Sequence, residues 1–307
     1  INGTLIFRRN LASNHGGAIA STGTGRNYLI MSGTLTFEKN DAVERGGAIY
    51  STIPLTIRDS DTTTMFTSNR ASDGGGIYCA QNFSLINGSH TFLSNQGMYY
   101  GGAFYLKGST NYIRGIANFT RNSAESGSGG AIYFDRTVYS GGDDDRRRLS
   151  SSMSDFLSFQ GNILFVENVA NPGSGGALVS ASASLIIENS HMNFSHNSAI
   201  LGSGGGCITN KLLSISSSSL VFNQNQGLES GGGLNMKDIV MSSDSNMTFT
   251  NNEASTGGAI AIQENAQQVL LYNVIVNTSK ASSLGGGIAI KNAKDIQIID
   301  SSITHSS

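Results

Sequence analysis

The sequence predicts an all-β chain, a right-handed parallel β-helix (β-solenoid) of about ten coils with one repeat of 26–30 residues per coil. Three observations predict it. An aromatic residue followed three positions later by Asn recurs along the whole chain. Eight to ten residues after each aromatic comes Gly-Gly, then a small residue and usually Ile or Leu. Inside each repeat, apolar and polar residues alternate with period two and no helical stripe is sustained, as in Thr34-Leu35-Thr36-Phe37, Leu55-Thr56-Ile57 and Ile288-Ala289-Ile290. Low charge, 13 % Asp, Glu, Lys and Arg, with 39 Gly and only 2 Pro, suits a turn-rich β chain better than helices.

The aromatic/Asn pairs are Phe7/Asn10, Phe37/Asn40, Phe66/Asn69, Phe92/Asn95, Phe119/Asn122, Phe165/Asn168, Phe194/Asn197, Phe222/Asn225 and Phe249/Asn252. Val276/Ser279 is a weaker copy, and another begins at Ile303. A repeat of this length accommodates three short strands and three turns, so each copy makes one coil, stacked on the next at ~4.8 Å. Stacking places each side chain above its equivalent. The Phe column becomes an interior ring stack and the Asn column an amide ladder, at a turn where Asn tolerates unusual backbone angles. Gly-Gly meets the need for positive φ or close approach between coils.

Facing follows from alternation on the strand after Gly-Gly. Its fourth column, counted from the first Gly, is apolar throughout and points inward, so the fifth points outward. That column places Tyr50, Tyr78, Tyr105 and Tyr133 on consecutive coils, an aromatic row expected to be exposed and the candidate contact surface. High strand propensity, or cover from an inserted loop, would account for it otherwise.

The order of these motifs resembles the repeats of the chlamydial polymorphic outer membrane proteins and of related surface proteins in protists. Phe37-Glu-Lys-Asn40 with Gly46-Gly-Ala-Ile49, and Phe249-Thr-Asn-Asn252 with Gly257-Gly-Ala-Ile260, match best. The resemblance covers essentially the whole chain outside one insertion. It implies a secreted β-helical passenger displayed at a cell surface, with adhesion as its usual activity.

A polysaccharide lyase or hydrolase needs clustered carboxylates on neighbouring coils. Asp61 and Asp244 share a column but lie six coils, about 29 Å, apart, and Asp59, Glu188 and Asp300 fall on separate coils. No catalytic residue is expected. No metal set is expected either, since His15, His90 and His305 are isolated and His191 and His196 have no Cys or Asp beside them. Cys79 and Cys207 sit in inward columns four coils, about 19 Å, apart, too far for a disulfide. No cofactor is implied.

A net charge of −2 with scattered Lys and Arg excludes an electrostatic footprint for nucleic acid, and no apolar run is long enough to span a membrane. The repeat is under way at residue 1 and running at residue 307, so the chain is expected to be one β-helix segment (1–307) of a longer protein. An insertion between coils five and six, residues 136–158, carries Asp143-Asp-Asp-Arg-Arg-Arg148. Arg146, Arg147 and Arg148 are a candidate protease-processing site, against the reading of a solvated charge run. Asn2, Asn82, Asn87, Asn118, Asn193, Asn246 and Asn277 begin N-glycosylation sequons, and Asn118, Asn193 and Asn246 are expected to face solvent. Together these features indicate an extracellular or cell-surface structural or adhesive protein. Its expected partners are itself, end to end or laterally, or a cell-surface protein or glycan. A polysaccharide-active enzyme, or a host-cell adhesin without fibre formation, is the alternative.

Overall fold

The computed structural model describes residues 1–23, 27–58, 63–135 and 155–307. Its described residues form strands and turns without a helix, and every ladder between strands is parallel. Strands stack coil on coil in the register expected from the repeat. Phe7 pairs with Phe37, Phe37 with Phe66, and the column continues to Phe249, Val276 and Ile303. The chain is thus a parallel β-helix of about ten coils.

Four segments, rather than three strands, make up a coil. In the second they are the aromatic strand Thr34–Glu38, the short strand Asp41–Ala42, the glycine strand Ile49–Ser51 and the return strand Leu55–Arg58. The return strand leads into the next aromatic strand through a corner residue in the left-handed region. Gly33, Gly88, Gly115, Gly161, Asn189, Ser217, Asn273 and Asp300 hold this place on eight of the coils. Its residue type varies, so repetition did not reveal it. On some coils the two segments are one strand across the corner, as in Thr110–Thr120 and Phe156–Val166. Residues 156–158, counted above with the insertion, are therefore strand: Phe156 pairs with Thr110 and Ser158 with Tyr112. Arg146, Arg147 and Arg148, and also Asp59 and Asp61, lie outside the described residues.

The interior is a single apolar column. Phe rings from Phe7 to Phe249 stack at centroid separations of 4.5 to 5.2 Å, and those from Phe37 onward are fully buried. Inward residues of the glycine strand meet this stack edge-on, as Phe104 does with Phe92 at 4.5 Å. Offset and edge-to-face rings at these spacings each add ~0.5–1.5 kcal/mol beyond burial.

Beside the rings runs the amide ladder. The backbone N–H and Nδ2 of Asn95 both donate to Oδ1 of Asn122, at 3.0 Å each. Asn122 Nδ2 in turn donates to Oδ1 of Asn168 at 3.0 Å and to the Phe92 carbonyl at 2.9 Å. The pattern is unbroken from Asn10 through Asn40, Asn69, Asn95, Asn122, Asn168, Asn197 and Asn225 to Asn252. Every interior amide thus uses two acceptor and two donor positions, so its burial leaves nothing unpaired. One expectation is corrected: the ladder Asn does not carry the unusual backbone angle. The residue before it does, with Ser94 and Arg121 both at φ 54°. Side chains there point to solvent and their type is free, whereas the Asn itself is held by its four hydrogen bonds.

Gly-Gly meets both needs proposed for it. Gly101 has φ +60°, and a Cβ on Gly102 would lie 2.2 Å from the carbonyl oxygen of Gly130 on the next coil. Cys79 and Cys207 are buried and unpaired with each other, and burial pushes the Cys79 thiol up to about 12. His90 is also wholly buried. Its Nδ1 lies 2.7 Å from Thr64 Oγ1 and its Nε2 meets the Asn87 carbonyl, so the neutral ring is fully partnered. Burial holds its pKa below the ordinary value, opposed by the Asn87 carbonyl.

Two outcomes follow. Asn122→Ala removes the acceptor for two buried donors of Asn95 and the donor to Phe92 and Asn168; at ~1–3 kcal/mol per orphaned group, urea unfolding should show a loss of about 4 kcal/mol. Because the folded-state pKa of His90 is depressed, the stability it contributes is complete above its unfolded value of about 6.5 and is lost as pH falls through the folded value. Thermal melts should therefore show a larger drop in Tm from about pH 7 to about pH 5 for the wild type than for His90→Thr; equal drops would remove His90 as the cause.

Candidate functional site

The tyrosine row does leave the main core, as alternation requires, but it is not exposed. Tyr50, Tyr78 and Tyr105 are 7 %, 4 % and 7 % accessible and Tyr133 is half-buried. They form a second apolar cluster outside the barrel, together with Ala80. The cause is the Gly-Gly bend. It folds the chain back so that the residue just before each first glycine lies over the tyrosine column, making a concave groove along the outside of the rod. His15 stacks on Tyr50 at 4.3 Å, the Arg45 guanidinium lies over Tyr78 at 5.2 Å, and Tyr100 stacks on Tyr133 at 4.4 Å. Alternation along one strand distinguishes inside from outside but does not reveal concavity.

The groove also gathers charge that column arithmetic kept apart. Arg45 Nε lies 3.8 Å from Asp73 Oδ2, Lys107 Nζ lies 5.9 Å from the Tyr105 ring, and Ser182 donates to Asp135 Oδ1 at 2.8 Å. These groups belong to two columns on either side of the tyrosines, and no single column holds them, which is why the sequence did not join them. Burial raises the Asp73 pKa, with Arg45 and Lys107 acting against it. Burial lowers that of Lys107, while Asp135 raises it. Tyr78 is pushed up to about 12 by burial, and Tyr105 is raised by burial and by neighbouring Tyr78. Alternating charges over stacked rings form a network that neutralises itself.

Further along the rod the tyrosine column gives way to Val179, Ile208, Asn235, Ala261 and Ala289. Over its last coils the groove opens into a cavity of ≈ 540 Å³ bordered by Asn235, Ala261, Gln263, Ala289 and the Lys291–Glu264 ion pair.

Remaining candidates are scattered. Asn2, Asn82, Asn87 and Asn246 are exposed, and Asn118, Asn193 and Asn277 are half-buried on outward positions of aromatic strands. Asp244 caps Ser217 on the preceding coil, and Glu188 and Asp300 lie elsewhere on the surface. His191 and His196 are both exposed. Among the described residues no group of three His, Cys, Asp or Glu is placed to hold a metal ion. No helix of the described residues is long and apolar enough to cross a membrane.

Alkaline titration tests the groove. Tyrosinate absorbance from Tyr78 should develop only near pH 12 and vanish from that phase in Tyr78→Phe; if all 10 tyrosines titrated together near the ordinary value of about 10, the groove would be open.

The repeat of the Chlamydia polymorphic membrane protein family matches this chain at residues 34–52, 63–80, 117–135 and 246–263. Each match runs from an aromatic strand through the ladder turn and Gly-Gly into the glycine strand. No curated protein and no solved structure matches the chain.

Proposed function

We propose that this chain is a non-catalytic, extracellular β-helix displayed at a cell surface, where it serves as an adhesive or structural rod. The observation that carries the reading is the use made of the repeated residues. Aromatic rings, ladder amides and Gly-Gly pairs all serve to stack coils, so the motif specifies a rigid scaffold and leaves the outer columns free to vary. The four matches to a repeat named for a membrane protein of Chlamydia support surface display. Exposed Asn82, Asn87 and Asn246 are available to carry sugar in a secretory route that attaches it. The Arg146–Arg148 run is a place for proteolytic maturation. A displayed host-cell adhesin that does not form fibres is a variant of the same reading.

One observation favours a polysaccharide-active enzyme as the second reading: Asp73, Lys107 and Asp135 share a groove, and the Asp73 and Lys107 pKa values are displaced. Against it, buried tyrosine rings make the groove floor and Arg45 already pairs with Asp73, so that carboxylate is engaged by the chain's own cation.

Incubating the purified chain with cultured cells and with a panel of surface polysaccharides separates these readings. Saturable cell binding without sugar release is expected, and it should persist in Asp73→Asn. Release of oligosaccharides that is lost in Asp73→Asn would establish the enzyme instead.

A further inference from the structure

The aromatic strands form one flat parallel face, and their outward positions are almost without charge. From Thr63–Thr67 through Ser89–Leu93, Ile116–Thr120, Asn162–Val166, His191–Ser195 and Ser219–Asn223 to Asn246–Thr250, no Asp, Glu, Lys or Arg stands outward. The same holds for Ile275, Asn277, Ser302 and Thr304 on the coils that follow. Charges stand at its margins and elsewhere: Arg8 pairs with Glu38 at the end of the first two aromatic strands and Arg121 with Glu167 just past two later ones, Arg58, Arg114, Glu188 and Asp238 mark the return strands, and Asp41, Arg70, Glu253 and Lys280 the short strands. Through the middle of the uncharged face runs a mixed row of Met65, Thr91, Asn118, Leu164, Asn193 and Val221, continuing to Ile275. Met65, Ile116 and Ile275 are 45 %, 46 % and 50 % accessible.

We infer that this face is a lateral interface for a second copy of the same chain. Three arguments select that occupant. Depletion of charge is the compositional mark of an interface core, and a face without charge neither repels its own copy nor leaves an ion unpaired on burial. The face repeats every ~4.8 Å along the rod, a period that another parallel β-helix of this kind matches over its whole length, since sheets pack face to face with their strands aligned. Nine coils at ~4.8 Å and five residues at ~3.3 Å give a face of about 700 Å², close to the ~800 Å² that each partner contributes to a standard stable interface. A two-fold axis lying in the plane of the contact makes it self-complementary and closed. Asn118, Asn193 and Asn246 stand on this face, so N-linked sugar at these positions and lateral pairing exclude each other. The inference deepens the structural-rod reading above by naming its partner and its surface.

Sedimentation velocity on the full 307-residue chain, produced without glycosylation, tests it across roughly 10 nM–100 μM, the weaker part of the μM-to-pM range that interfaces this size cover. The expected result is a concentration-dependent doubling of mass that is weakened at least ~10-fold by Leu164→Lys with Val221→Lys, since like charges facing each other cost several kcal/mol. Ser84→Lys on the return strand should associate as the wild type does, and Thr91→Glu, a single change on the flat face, should weaken association even if the double variant folds poorly. A wild-type chain that stays monomeric throughout, or a folded Leu164→Lys/Val221→Lys variant that dimerises equally, overturns the proposal. The surface reading fails separately: a chain that dimerises but binds no cell loses that reading and keeps this one, and a chain that binds cells only as a monomer does the reverse.

Discussion

The amide ladder is the constraint on which the rest of the rod depends. A parallel β-helix must turn its backbone several times per coil, and each turn takes polar groups out of regular pairing beside a dry core. At the sharpest of these turns the Asn side chain accepts from the backbone N–H and amide of the coil before and donates to two carbonyl-type oxygens. Only a primary amide on a short stem supplies two donors and a double acceptor within this reach. Asp lacks the donors, Ser lacks the reach, and Gln brings a further torsion to immobilise. Where Ser279 takes the place, a single bond of 3.4 Å remains from Asn252. Register follows from this ladder, because a coil slipped by one residue would break every bond in it and turn the Phe stack outward.

With register held, the columns divide the labour. Inward columns make the ring stack and consume its apolar surface. Outward columns are released from folding and differ from coil to coil. The corner between return and aromatic strands shows a second, looser solution to the same problem: the backbone N–H groups of Ser190 and Ser218 donate to the serine hydroxyl one coil on, at 3.0 and 3.2 Å. The groove shows a third arrangement, in which outward residues are roofed by their own chain. There Arg45 pairs with Asp73, and Arg45 and Lys107 lie over the tyrosine rings. The second half keeps the groove open with Ala261 and Ala289.

The surface therefore has three distinct aspects. One is a roofed, charged and aromatic groove; one, on the short and return strands, carries scattered ions; and one is a broad flat face without charge. A rod that presents such different faces at fixed azimuths along its axis orients whatever it meets, since no rotation of the coil stack exchanges them. Presentation of this kind fits the adhesive or structural role proposed above.

By itself the sequence determined the repeat, the coil count, the parallel register and the identity of the inner columns, because stacking makes each of these a one-dimensional property: the same residue type returns at the same place. Phe, Asn and Gly-Gly were legible for that reason, Asn as the ladder amide though not in the backbone angle expected of it. Only the tertiary structure decided where the backbone bends and which outer columns face each other across a bend. Tyr50, Tyr78 and Tyr105 looked exposed because alternation records which side of a strand a residue takes, and their burial comes from Arg45, Asp73 and Tyr100 folding over them from beyond the glycines. Asp73 and Asp135 come near one another in the same way, from different columns on either side of the tyrosines. The left-handed residue before each ladder Asn escaped notice because its backbone angle is imposed by its neighbours' hydrogen bonds, which leaves its side chain free to be anything that tolerates water.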